Sequence, residues 1–147
     1  MKFFKTLFER ETPADTIDEI DHQQLAIAAL LVEAARADEH FAEDERTIIE
    51  HFLAQNFDLD ADAAKSLLAQ AETAQADAID IHRFTKQVKE LPQDEKIKFI
   101  EGLWHIVLSD GERDAFEDAL IRRVCGLIYV TDRESSEARK AVLAGLS

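Results

Sequence analysis

Two short acidic stretches hold the residues whose types and spacing suit chemistry. One reads Ala37-Asp38-Glu39-His40-Phe41-Ala42-Glu43-Asp44-Glu45. The other reads Ser109-Asp110-Gly111-Glu112-Arg113-Asp114-Ala115-Phe116-Glu117. Each carries an Asp and, seven residues on, a Glu. With the Asp in a turn and the Glu in the first turn of the next helix, the two carboxylates can converge. Asp38, Glu45, Asp110 and Glu117 are therefore candidate ligands for a divalent cation, with Glu33 and His105 as further members. Oxygen ligands alone suit calcium or magnesium; an added imidazole tilts the choice toward manganese or zinc. A structural reading stays open beside this one. Glu117 is the capping-box acid for Asp114, and Glu45 complements a helix dipole.

Other candidate chemistry is thinner. His105 lies in an apolar segment with Glu101 one turn back, a setting that suits a ligand or a histidine paired within the core. Glu19 and His22 form one Glu-x-x-His, but di-iron carboxylate bundles use two. His40, His51 and His82 read as surface. Asp58-Leu59-Asp60-Ala61-Asp62 opens like a calcium loop, yet its sixth position is Ala63 and its twelfth Ala69, where that loop needs Gly and Glu. Asp60 reads instead as a helix cap. Ser66, Ser135 and Ser136 have no elbow or neighbouring His. Cys125 sits in an apolar run and reads as buried and inert. There is no Gly-rich phosphate loop. The expectation is a protein that is not an enzyme.

The elements that must position these residues are helices. The chain has 147 residues, 46% hydrophobic and 33% charged, with four Gly and two Pro. That length suits one domain with a real core, and the composition favours helices over strands. The net charge of −14 comes from 17 basic and 31 acidic residues, and no basic face is evident, so nucleic acid is excluded as a partner. A single cysteine permits no disulfide framework, and residues 1–10 do not form a signal peptide; both point to the cytoplasm. No segment approaches the ~18 apolar residues needed to span a bilayer. Phe3, Phe4, Leu7 and Phe8 are expected to pack on the protein as an arm over residues 1–15. Membrane association is not expected.

Capping boxes at Thr16/Glu19, Asp114/Glu117 and Thr131/Glu134 mark helix starts. The pattern predicts helices over residues 16–37, 43–55, 61–76, 77–90, 92–109, 114–129 and 131–145. Asn56 is the expected left-handed terminator of the second, Asp60 caps the third and Asp77 opens the fourth. Two helices, ending near Ala37 and Ser109, are apolar almost all round and should be central. Leu31 and Trp104 belong to their buried faces, and Glu33 there needs a partner.

A shift of 72 residues overlays two units, over residues 20–55 and 92–129. Glu33 falls on His105, Asp38 on Asp110 and Glu45 on Glu117, while Ile48, Ile49 and Phe52 fall on Leu120, Ile121 and Val124. Each unit is a buried helix, an acidic turn and a second helix.

This arrangement resembles the tellurite resistance protein B (TerB) family, and its stand-alone branch in particular. That family's pattern is Ala-Asp-Gly, an apolar residue two further on, then a Glu. The first copy keeps Asp38, Phe41 and Glu45 but has Glu39 in place of the Gly. The second keeps Asp110, Gly111 and Glu117 but has Arg113 in place of the apolar residue. The resemblance runs from about residue 20 to 145. It implies an all-α bundle of about seven or eight helices, an acidic cluster able to take a divalent cation, a stress-related role and no known reaction. The competing expectation is a module that docks an unknown protein partner through its acidic turns. The sequence leaves the oligomeric state open.

Overall fold

The computed structural model describes residues 14–37, 43–109 and 115–146. Most of the expected N-terminal arm, with Phe3, Phe4, Leu7 and Phe8, lies outside the described residues. Seven helices and no strand occur among those described: α1 (Ala14–Arg36), α2 (Glu43–Phe57), α3 (Ala61–Asp77), α4 (His82–Val88), α5 (Gln93–Ser109), α6 (Ala115–Ile128) and α7 (Asp132–Leu146).

The two helices that are apolar all round are the central ones. Residues 26–32 of α1 are all 2% exposed or less, because α1 packs on α2, α3, α4, α5 and α6. Its partner α5 packs on α1, α2, α6 and α7 and buries Phe99, Ile100, Leu103, Trp104 and Ile106. Each fully buried Leu, Ile or Phe contributes about 1.5–3 kcal/mol relative to exposure. One contiguous apolar core joins both repeat units. Gly102 of α5 lies beneath the ring of Phe52 of α2; a methyl group there would come within 2.7 Å of the ring. The absence of a side chain at Gly102 is what lets α2 and α5 approach this closely.

Local signals account for most boundaries. Asp60 caps α3, accepting from the Ala63 amide at 2.8 Å. The capping box at α7 forms in both directions. The Glu134 amide donates to Thr131 Oγ1 at 3.1 Å, and the Thr131 amide donates to Glu134 Oε1 at 2.9 Å. The Pro92 carbonyl accepts from the Glu95 and Lys96 amides as α5 begins.

Three boundaries differ from expectation. The first helix starts at Ala14, placing Thr16 within its first turn. The side chains of Thr16 and Glu19 lie outside the described residues, as does Asp114. Asn56 does not terminate α2. Its amide donates to the Phe52 carbonyl at 2.8 Å within the helix. Buried Phe57 extends the apolar stripe by another turn, and Asp58 takes the left-handed conformation with φ 57°. Asp77 ends α3 rather than opening α4. Its alanine-rich helix runs on, and Asp80 then accepts from the His82 amide at 2.9 Å to start a shorter α4.

The repeat extends further than the sequence overlay. Asp58 and Tyr129, the only described non-glycine residues with positive φ, close α2 and α6 in the same way. The Leu59 amide donates to the Ala54 carbonyl, and the Val130 amide to the Cys125 carbonyl. These pairs lie 71 residues apart, so α3 and α7 are also equivalents, with an offset one residue shorter. The molecule is two three-helix units, α1–α3 and α5–α7, joined by α4.

Candidate functional site

The C-terminal end of α1 and the start of α2 carry the first set of polar residues. Glu33 is half-buried on α1, and its carboxylate accepts from Gln75 Nε2 of α3 at 2.8 Å. This is the partner that its position demands. Gln75 Oε1 in turn accepts from Arg36 Nη1. Glu72, one turn before Gln75, holds Arg46 of α2 at 2.7 Å and Arg36 at 3.6 Å. The hydrogen bond to Glu72 raises the Arg46 pKa above its ordinary value, with the charges of Glu72, Glu43 and Glu50 adding to it. A chain of pairs thus ties α1, α2 and α3 together beside the first acidic stretch. Partly exposed pairs of this kind contribute about 1 kcal/mol or less each.

Glu45 lies in the first turn of α2 and is only 5% exposed. A carboxylate there gains from the positive helix end, which offsets part of the cost of burial.

The second set follows from the pseudo-symmetry. Glu33 and Ala37 of α1 share a groove of about 320 Å³ with Ala119, Leu120 and Arg123 of α6. At the equivalent crossing of α5 with α2, His105 is half-buried and close enough to His51 to feel its charge. Burial, then that charge, pulls His105 below the usual imidazole range, so it is neutral at pH 7. A neutral imidazole is the form that ligates metals. Glu33 and Arg123 thus hold positions equivalent to those of His105 and His51, offset by 72 in both members. Since Ala37 follows the first unit's buried helix and Ala119 lies four residues into α6, the C-terminal end of α1 and the first turns of α6 stand side by side.

The candidate ligands fall unevenly across this frame. Glu33, Glu45 and His105 are placed as above, Glu33 and His105 on different central helices. Asp38 and Asp110 lie outside the described residues, as does the side chain of Glu117. Among the described residues no group of three or more His, Cys, Asp or Glu side chains stands close enough to hold a metal ion. Reasoning from sequence missed Arg36, Arg46, Glu72, Gln75 and Arg123. Glu72 and Gln75 are three apart and so share a face of α3, but which helix meets that face is a tertiary fact.

A family model described as tellurite resistance protein TerB matches residues 24–140. The chain belongs to the TerB family. The match takes in both three-helix units of this TerB-family protein except the first part of α1 and the last turns of α7. No curated protein and no solved structure matches the chain. No described helix of this TerB-family chain is long and apolar enough to cross a membrane.

Proposed function

We propose that this TerB-family protein is a non-enzymatic, cytoplasmic binder of divalent cations with a stress-related role. Asp38, Glu45, Asp110 and Glu117 supply the carboxylates, and Glu33 and His105 border them. The observation that supports this reading is the groove shared by α1 and α6, which brings the C-terminal end of α1 near the first turns of α6. Carboxylates gathered there repel one another in a chain already at −14, and a divalent ion relieves that repulsion. Oxygen donors from the two turns suit calcium or magnesium; recruitment of the neutral His105 favours manganese or zinc.

Arg36, Arg46 and Arg123 favour a second reading. They place internal cations beside the acidic stretch and so do part of what an ion would do. On that reading the turns are a docking surface for a protein partner. Thermal melts in the presence of calcium, magnesium, manganese or zinc separate the two. An ion at 100 times its Kd adds about 2.7 kcal/mol of stability by linkage. Asp38→Asn combined with Asp110→Asn should abolish that gain while leaving the fold. Melting temperatures unmoved by all four ions leave the docking surface.

A further inference from the structure

The two units differ in one buried place. In the first, Val32 of α1 and Ala64 and Leu68 of α3 are all 2% exposed or less and belong to the apolar core. Their equivalents in the second unit are Trp104, Ser135 and Arg139. These three line a cavity of about 550 Å³ between α5, α6 and α7, and Ile121, Arg122 and Cys125 are also in its wall. The fold is satisfied by apolar residues at these positions, so the hydroxyl and guanidinium are not required to close the bundle.

The polar groups are arranged around a donor without an acceptor. Trp104 Nε1 donates to Ser135 Oγ at 3.1 Å. The Arg139 guanidinium lies 5.8 Å from the centre of the Trp104 ring, where the ring face attracts it. Its Nε is buried and has no hydrogen-bond partner. Buried donors are nearly always paired, and an unpaired one is costly. Among the described residues neither Arg139 nor Arg122 makes an ion pair, although both line this cavity. In a chain with 31 acidic residues, two guanidinium groups that line one cavity and make no ion pair, one of them with a buried unpaired Nε, mark a place for an oxygen anion from outside.

We propose that this cavity binds a small organic monocarboxylate, its carboxylate on Arg139 and Arg122 and its apolar body against Trp104 and Ile121. Guanidinium recognises a carboxylate through paired hydrogen bonds. Asp118 and Asp132 also line the wall and disfavour an anion of two charges, such as phosphate. The Cys125 thiol, whose pKa burial pushes up, stays neutral and adds to the apolar wall. The volume lies in the range of small-molecule sites. This site lies within the second unit and stands whether or not the acidic turns hold a cation.

Trp104 is the only tryptophan in the chain, so its fluorescence reports on this cavity. The full-length protein is titrated with butyrate, phosphate and chloride at matched ionic strength, and with a short neutral peptide bearing a free C-terminal carboxylate. Butyrate is expected to shift the emission saturably and to raise the melting temperature. Arg139→Gln should abolish the response. Arg122→Gln, at an exposed position that the fold tolerates, should weaken it by about tenfold or more. An absent butyrate response overturns the proposal, as does an equal response to chloride. Tighter binding of phosphate overturns the ligand class, and tighter binding of the peptide overturns the free small molecule. If Arg139→Gln does not fold, unchanged butyrate affinity in Arg122→Gln overturns the proposal by itself.

Discussion

Replacing Glu95 with Gln should make the protein more stable at pH 8 but change little near pH 4.5. Glu95 lies in the first turn of α5, is 6% exposed, and its Oε2 is buried without a hydrogen-bond partner. Burial, then the neighbouring charge of Asp94, raises its pKa from 4.5 to about 7. Below pH 4.5 the group is protonated both folded and unfolded and contributes no pH dependence. Between pH 4.5 and 7 the unfolded chain gives up its proton first, so stability falls as pH rises. Above pH 7 the full penalty applies. At 1.36 kcal/mol per pKa unit the ceiling is about 3 kcal/mol, and water reaching the carboxylate brings the expected loss to about 1–3 kcal/mol. Urea unfolding of wild type and Glu95→Gln at several pH values from 4.5 to 8 measures it. Gln adds a constant offset of its own, so the quantity that counts is the change in the difference between the two proteins. A difference that stays flat across that window refutes the reasoning. So does one that grows in favour of wild type as pH rises.

Leu31→Ala, which empties a fully buried site on α1, should cost about 2–5 kcal/mol in chemical denaturation; an unchanged midpoint would mean that the core is misplaced. Thr131→Ala removes the cap of α7 and should cost about 1 kcal/mol, read as a lower melting temperature and faster amide exchange in residues 132–135. Gly102→Ala should be destabilising by up to about 2 kcal/mol, because displacing Phe52 outweighs the better helix propensity of alanine; a stabilised variant would show that the ring yields freely.

The helices were legible because their signals are local. Asp60 and the Thr131/Glu134 pair act within four residues of themselves, and the apolar surrounds of α1 and α5 state directly that other helices cover them. The misplacements at Asn56 and Asp77 arise where a local preference competes with packing. Phe57 gains more from burial than Asn56 does from a left-handed turn, and the alanines of α3 carry it through Asp77. The partners of Glu33 and Arg46 were illegible, since Gln75 and Glu72 are 42 and 26 residues distant. Arg139 was within reach. The offset between the units falls from 72 to 71 after α2 and α6, and only the shorter offset sets Arg139 on the buried Leu68. An overlay held at 72 sets Arg139 on Leu67, which is apolar but only partly buried, so the contrast is weaker there.

The central claim is that residues 38–45 and 110–117 together form one cation site. The most direct measurement is the amide spectrum of the labelled protein under sub-stoichiometric manganese, whose unpaired electrons broaden only nearby resonances. Signals from both stretches should weaken in parallel, at the same ion concentration, and Asp38→Asn with Asp110→Asn should remove both effects. Broadening of one stretch without the other, or spread evenly over surface acids such as Asp62 and Glu137, would contradict a shared site.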